Sequence, residues 1–193
     1  MSVVIINYNA GNVQSVTYAL NRLGVDPILS DDPEVIQSAD KVIFPGVGEA
    51  STAMAFLKQK GLDQVIKNLK QPVFGVCLGL QLMCKHSAEN DTECLGIFDI
   101  EVKKFEPKLK VPQMGWNTLE QVSGPLFQEL GDDPYVYFVH SYYAELSDYT
   151  VAVTDYVNPF SAALQKDNFY ALQAHPEKSG KVGEKILENF LRL

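Results

Sequence analysis

The sequence predicts an α/β fold of three layers, in which helices cover both faces of a mostly parallel central sheet with additional antiparallel strands. In the first half of the chain, short apolar runs alternate with segments of helical periodicity, which is typical of parallel strands joined by crossover helices. In the second half, strand-like runs follow one another and are separated by turn signals such as residues 131–134. Together the two patterns indicate one mixed sheet.

The elements of the first half follow from periodicity and from start and stop residues. Residues 3–7 form an apolar β-branched run, typical of a strand buried on both faces. Apolar residues at helical spacing predict a helix over 12–23, which ends at Gly24. The remaining predicted elements are a strand at 25–29, a helix beginning at 32–34, a strand at 42–44, helices at 49–60 and 62–69, and a strand at 73–76.

The second half predicts a series of strands followed by one helix. The predicted strands span 96–105, 113–122, 135–140, 150–156, 162–165 and 170–173. An amphipathic helix over 180–193 closes the chain. Because no shift of composition marks a linker and no internal repeat occurs, the sequence predicts a single domain over residues 1–193.

The composition is that of an ordinary globular chain, with 46% hydrophobic and 21% charged residues among 193. The formal net charge of −8 argues against nucleic acid and anionic membranes as partners, because both bind basic surfaces. The N-terminal apolar run is short and follows no basic residues, which predicts neither a signal peptide nor a membrane span. The three cysteines, Cys77, Cys84 and Cys94, lack metal-ligand spacing, and their odd number indicates a reducing cytoplasm.

The segment Gly75-Val76-Cys77-Leu78-Gly79 carries the strongest chemical signal in the chain. It follows a predicted strand and opens a helix-like segment at 78–86, which is the layout of a nucleophile elbow. Small residues are needed on both sides of so sharp a turn, and a helix N-terminus favours the thiolate, the reactive form of cysteine. The alternative is a buried cysteine in a tight turn, and the glycine spacing favours the reactive interpretation.

A cysteine nucleophile needs a base, and His175 is the first candidate among three histidines. Pro176 biases His175 toward an extended backbone, so Glu177 projects to the same side and is placed to orient the imidazole. His140, at the end of an apolar strand, is the rival base but has no carboxylate at a helpful spacing. His86 is placed too far down the predicted elbow helix to reach Cys77.

The segment Pro45-Gly46-Val47-Gly48 lies between a predicted strand and a helix. It does not match a dinucleotide-binding loop, because Ser51 occupies the position of the third glycine and the segment follows the third strand. Backbone N–H groups of Gly46, Val47 and Gly48 are instead predicted to form an oxyanion hole together with the N–H of Leu78.

These motifs resemble those of the class I, triad-type glutamine amidotransferases, whose two signatures are the cysteine elbow and the distal His-Pro-Glu. The likeness runs the length of the chain. Further segments that carry it are 7–12, 45–48, 114–117, 137–143 and 175–179. The chain departs from the pattern at Gln113, where histidine is expected, at Ala174, where phenylalanine is expected, and at Leu80, where methionine is common.

The resemblance implies hydrolysis of L-glutamine to glutamate and ammonia through a Cys77 thioester, without a metal or cofactor. It implies that Gln81, Ser141 and Tyr142 hold the glutamine. It also implies a heterodimer with a (β/α)8-barrel cyclase subunit that receives the ammonia. The residues expected to face this partner are Asn12, Trp116 and Lys178.

Two other functions fit part of the sequence. One is a different cysteine hydrolase on the same architecture, such as a peptidase or deglycase, although these usually lack the downstream His-Pro-Glu. The other is a scaffold without activity that binds a partner. The intact set of Cys77, His175 and Glu177 argues against a scaffold.

Overall fold

In the computed structural model, which describes residues 1–9 and 11–193, eleven strands form one mixed sheet and two more form a separate ribbon. The strands in chain order are β1 (Val3–Ile6), β2 (Ile28–Ser30), β3 (Lys41–Phe44), β4 (Val73–Val76), β5 (His86–Ser87), β6 (Thr92–Glu93), β7 (Glu101–Lys104), β8 (Gln113–Thr118), β9 (Tyr135–His140), β10 (Tyr142–Ala144), β11 (Thr150–Asp155), β12 (Pro159–Lys166) and β13 (Phe169–Leu172). The helices are α1 (Val13–Arg22), α2 (Pro33–Ser38), α3 (Ala50–Lys60), α4 (Leu62–Asn68), α5 (Leu78–Met83) and α6 (Gly180–Arg192). Single 3-10 turns lie at Pro125–Phe127 and Pro176–Lys178.

The central sheet is parallel in the half that carries the elbow. Its order is β2-β1-β3-β4-β13-β12-β10-β7-β5-β6, with β11 paired to β12, and the pairings from β2 through β13 are parallel. Beyond β13, the strands β12, β11, β10 and β7 pair antiparallel. The ribbon of β8 and β9 is antiparallel. The predicted mixed α/β sheet is confirmed.

Alternating side chains of the inner strands divide the core into two layers. Val4 and Ile6 of β1 join an apolar cluster beneath α2, α3 and α4, whereas Val3 and Ile5 join a second cluster beneath α1 and α6. Every residue of β1, β3 and β4 is buried. Helices therefore cover both faces of the parallel half, which explains why its strands are continuous apolar runs.

The elbow helix is shorter than predicted, and the prediction that it reaches residue 86 is wrong. It ends at Met83 because the following segment takes its last carbonyl groups: the N–H groups of Leu95, Ile97 and Phe98 donate to Leu82 and Met83. His86 therefore lies in β5 rather than in a helix. Likewise residues 96–100 form an irregular segment with a bend at 97–98 in place of the beginning of a strand, and β7 begins only at Glu101.

Among the described residues, none of the helices combines the length and apolar character that a membrane crossing requires.

Candidate active site

The turn between β4 and α5 places Cys77 at its apex with a strained backbone. Cys77 has φ +54° and ψ −105°, a left-handed value that non-glycine residues rarely adopt. The flanking glycines are needed for space. A Cβ on Gly79 would lie 1.9 Å from the carbonyl oxygen of Phe44, and one on Gly75 would lie 2.9 Å from the sulfur of Met83. The local sequence thus forms the sharp strand-to-helix turn that its glycine spacing predicts, with Cys77 at the apex.

The register of two neighbouring strands brings the distant histidine segment to this elbow. Strand β13 pairs in parallel with β4, with Leu172 opposite Val76, and the N–H of Cys77 donates to the carbonyl of Leu172 at 2.8 Å. The residues that follow each strand therefore emerge at the same edge of the sheet. Gln173 reaches the cysteine directly, because its Nε2 lies 3.6 Å from Cys77 Sγ.

His175 and Glu177 form a buried pair beside the cysteine. Nδ1 of His175 lies 2.7 Å from Oε1 of Glu177, and the two side chains are 1% and 0% exposed. Burial lowers the pKa of His175, but the Cys77 sulfur and the Glu177 carboxylate outweigh it and raise that pKa to about 10. Nε2 of His175 has no hydrogen-bond partner among the described residues. The ring is therefore held at Nδ1, and the buried Nε2 is the nitrogen that could transfer a proton.

The other two histidines occupy different environments. His140 is buried, with Nδ1 2.7 Å from the carbonyl of Tyr142 and Nε2 2.9 Å from the side chain of Gln113. Burial lowers the pKa of His140 to about 4. Both nitrogens of His140 are thus engaged, and Gln113, one of the departures from the family pattern, is its partner. The His86 ring nitrogens contact the carboxylates of Asp91 and Glu101 instead.

The predicted oxyanion donors are close together, but one of them is occupied. The N–H of Leu78 donates to the carbonyl oxygen of Gly46 at 3.1 Å. Gly46 packs so closely on Tyr8 that a Cβ would lie 2.0 Å from the Tyr8 hydroxyl oxygen, and Gly48 has φ +142°. Only glycine fits the first position, and glycine is favoured at the second.

Side-chain hydrogen bonds fix both ends of the loop 45–49. The buried Tyr8 hydroxyl donates to the carbonyl of Pro45. On the other side, Glu89 Oε2 accepts the N–H of Ala50 at 2.8 Å, and Glu49 accepts the N–H groups of Ser51 and Thr52. The peptide groups between Gly46 and Gly48 are therefore the part of the loop that lies between these anchors.

A pocket of about 280 Å³ opens over the cysteine. Its lining residues are Val47, Gly48, Cys77, Leu78, Gln81, Glu89, Pro112, Val139, His140, Ser141 and Tyr142. All three residues predicted to hold glutamine are among them. Gln81 is itself held, because its Nε2 donates to the carbonyl of Tyr142 at 2.9 Å and to Gln173 Oε1 at 3.0 Å.

Two residues of the pocket region were not predicted from the sequence. Glu89 is the carboxylate among the lining residues, and burial raises its pKa. It lies in a loop that carries no motif, so no sequence signal identifies it. Gln173 was identifiable in principle, because it lies two residues before His175 in an extended segment and so projects to the same side.

The three residues predicted to face a partner gather around the turn at 175–179. Tyr137 lies opposite Trp116 in the ribbon; its carbonyl accepts the N–H of His175, and its own N–H donates to the Ser179 hydroxyl oxygen. Trp116 is 46% exposed and stacks on Tyr135, with ring centroids 5.8 Å apart. Lys178 is exposed in the turn itself. The Asn12 side chain contacts Glu177. Ala10, within the motif 7–12, lies outside the described residues.

The chain is similar in sequence to known proteins over its whole length. The imidazole glycerol phosphate synthase subunit HisH of Bacteroides thetaiotaomicron is 60% identical over the whole of both chains. The protein of the same name from Vibrio parahaemolyticus is 47% identical over 99% of this chain and 98% of its own.

Solved structures share the fold at low sequence identity. A structure described as a glutamine amidotransferase superposes with a TM-score of 0.78 at 19% identity, covering 99% of this chain and 98% of the other. A glutamine amidotransferase from Thermotoga maritima gives 0.65 at 18% identity, covering 100% and 83%. The family model "Glutamine amidotransferase class-I" matches residues 4–193. The chain therefore belongs to the class I glutamine amidotransferase family.

Proposed function

We propose that this chain is the glutaminase subunit of an imidazole glycerol phosphate synthase, in which it hydrolyses the side-chain amide of L-glutamine. The observation that carries the proposal is the interaction of Cys77, which lines the pocket, with His175, whose ring is paired with the buried Glu177 carboxylate. The full-length relatives named as this subunit, at 47% and 60% identity, support the same assignment.

In the first half of the proposed reaction, the Cys77 sulfur attacks the carboxamide carbon of glutamine. A carbon–sulfur bond forms, and the carbonyl π electrons move to oxygen to give a tetrahedral oxyanion. As the oxyanion collapses, the carbon–nitrogen bond breaks and the His175 imidazolium protonates the departing nitrogen. Ammonia leaves, and a thioester remains on Cys77.

In the second half, the neutral His175 takes a proton from a water molecule that attacks the thioester carbon. The second tetrahedral oxyanion releases the sulfur, so glutamate departs and the thiolate–imidazolium pair is restored. Glu177 holds Nδ1 of His175 at 2.7 Å throughout. This contact keeps the proton of the neutral ring on Nδ1, orients Nε2 toward the sulfur and stabilises the imidazolium.

The oxyanion needs N–H donors, and we assign these to Leu78 and to the Gly46-Val47-Gly48 segment. Because the Leu78 N–H now donates to Gly46, the loop must turn before that donor is available. The anchors at Pro45 and Ala50 leave the intervening peptide groups as the part that rotates.

We assign substrate binding to Gln81, Ser141 and Tyr142, as the sequence predicts, and add Glu89. A free amino acid carries an ammonium group, and Glu89 supplies the carboxylate of the pocket. The size of the pocket, about 280 Å³, suits a molecule as small as glutamine. Glutamine specificity then rests on one half-buried charge and a set of polar groups.

Ammonia released into water would be protonated and lost as a nucleophile, so the reaction needs a partner that receives it directly. We propose a (β/α)8-barrel cyclase subunit, bound as a heterodimer, that uses the ammonia to form imidazole glycerol phosphate and an aminoimidazole carboxamide ribotide in histidine biosynthesis. Residues 1–193 would act as one domain, and Asn12, Trp116 and Lys178 would face the barrel. The exposed Trp116–Tyr135 stack suits such a contact, since aromatic residues are enriched at interfaces.

The test is ammonia release from glutamine by the wild-type chain and by Cys77→Ala, each with and without a cyclase subunit. The wild-type complex is expected to release ammonia, and Cys77→Ala to lose this activity by on the order of 10⁴-fold or more. Added ammonium salt should still support the cyclase in the Cys77→Ala complex. Hydrolysis of peptides but not of glutamine would instead indicate another cysteine hydrolase, and no turnover of either would indicate a scaffold.

A further inference from the structure

The triad carboxylate has a second partner that the mechanism above does not use. Nδ2 of Asn12 donates to Oε1 of Glu177, the same oxygen that lies 2.7 Å from His175 Nδ1. The Asn12 nitrogen is also 3.5 Å from His175 Nδ1. Asn12, Glu177 and His175 therefore form one polar cluster, in which the His175 and Glu177 side chains are buried and Asn12 is half-buried.

The local position of Asn12 makes this contact unusual. Asn12 is the N-cap residue of α1, where an asparagine side chain normally accepts a backbone N–H of the first helical turn. Here it makes no such hydrogen bond, and its amide points to Glu177 instead. Its backbone is left-handed, with φ +76°, a conformation that asparagine tolerates better than most residues.

Glu177 has few other groups to stabilise its charge. Its side chain is 0% exposed, and among the described residues its second oxygen, Oε2, has no hydrogen-bond partner. A buried carboxylate is costly unless it is paired and hydrogen-bonded. The carboxylate thus depends on His175 and on the Asn12 amide, and removing the amide would leave it less firmly oriented.

We propose that Asn12 is a positioning residue of the reaction, which fixes the Glu177 carboxylate so that it holds the His175 ring with Nε2 toward Cys77. This inference rests on the proposed glutaminase function. It assigns Asn12 a role inside the chain that is separate from the predicted contact with a partner. Asn12 acts through Glu177 and His175, and does not itself touch the reacting atoms.

Two variants separate this role from a purely structural one. Asn12→Gly removes the amide while keeping a residue that adopts φ +76° without strain. Asn21→Ala, at an exposed position of the same helix, is the matched control.

The first readout is alkylation of Cys77 by iodoacetamide in the isolated chain across pH, which needs no partner. Loss of a hydrogen bond to a buried charged group should move the midpoint of this profile for Asn12→Gly upward by about one pH unit and slow alkylation at neutral pH about tenfold. Asn21→Ala should match the wild type.

The second readout is glutamine turnover in the complex with the cyclase. Asn12→Gly should lower kcat about tenfold with KM within about twofold, because the lost interaction acts on the reacting pair rather than on substrate binding. Alkylation and kcat at wild-type levels in Asn12→Gly would overturn the proposal. A wild-type complex inactive toward glutamine would overturn the proposed function instead, while the alkylation comparison would still decide the role of Asn12.

Discussion

The backbone N–H of Leu78 donates to the carbonyl oxygen of Gly46 across 3.1 Å, so a donor placed to bind an oxyanion is already occupied. The residue next to it, Cys77, is the nucleophile of the proposed reaction and has the strained backbone of the elbow. In that proposed reaction, the nucleophile and the base are in place, whereas the site that would stabilise the transition state is closed.

A first prediction follows from this closed loop. The isolated chain should hydrolyse glutamine slowly, and the cyclase with its ligand should stimulate turnover, mainly through kcat. Because one oxyanion donor is worth about 10²- to 10³-fold in rate, stimulation of that order is expected. Ammonia release with and without the partner measures it, and equal turnover in both would contradict the prediction.

A second prediction concerns Glu177. Glu177→Gln keeps the shape of the side chain but presents a neutral amide to His175, so it no longer stabilises the imidazolium or fixes the productive tautomer. Glutamine turnover is expected to fall by about 10²- to 10⁴-fold, mostly in kcat. The measurement is steady-state kinetics of the complex. A kcat within a factor of three of the wild type would show that the carboxylate is not needed.

A third prediction tests the assignment of Glu89 to the substrate ammonium group. Glu89→Gln retains an oxygen that can accept the Ala50 N–H but loses the charge, so KM for glutamine should rise about tenfold or more. Because burial raises the pKa of Glu89, substrate affinity in the wild type should also weaken as the pH falls through that raised value.

The matched control is Glu49→Gln, whose side chain caps the same helix but does not line the pocket over Cys77. It should lower stability without raising KM. A similar rise of KM in both variants would indicate that the helix cap, rather than the pocket charge, controls binding.

A fourth prediction concerns the space at the elbow. In Gly79→Ala the new Cβ would lie 1.9 Å from the carbonyl oxygen of Phe44, so the backbone must shift. Such overpacking costs about 1–3 kcal/mol, which corresponds to a Tm lower by roughly 2–12 °C in a domain of this size. Gly131→Ala, which meets no atom within 4 Å but has φ +78°, should cost only about 1 kcal/mol. Thermal unfolding measures the Tm of both variants, and a Tm of Gly79→Ala at or above that of Gly131→Ala would contradict the prediction.

A fifth prediction is the pH dependence of stability caused by His140. Its pKa is lowered from 6.5 to about 4, so the unfolded chain binds a proton at pH values where the native chain does not. The free energy of unfolding should therefore fall as the pH is lowered from about 6.5 to about 4. His175 acts in another window, because its raised pKa contributes stability that is present below 6.5 and lost as the pH rises through about 10.

Urea unfolding of the wild type and of His140→Gln at pH 4.5 and pH 7 measures this effect. Glutamine is neutral at both values, so the variant should lose less stability between them, whatever its absolute stability. An identical loss in both proteins would show that other groups control unfolding in acid.

Much of the fold was predictable because local periodicity reports burial. The run 3–7 predicted a strand buried on both faces, and β1 is buried along its whole length. The end of the elbow helix was not predictable in the same way. Residues 84–86 continue a plausible helix, and the helix stops at Met83 because backbone N–H groups from 95–98 take its carbonyl groups. That competition involves residues outside any local window.

For the site, the sequence by itself determined the elbow around Cys77 and the neighbourhood of His175 and Glu177, because glycine spacing and a two-residue offset are local features. Only the tertiary structure decided that the two segments meet, since this depends on the pairing of β4 with β13. It also decided that Glu89 enters the pocket, that Asn12 reaches Glu177, and that Leu78 is bonded to Gly46. These contacts join residues far apart in the chain, and their geometry is set by strand register and loop conformation rather than by any pattern within one segment.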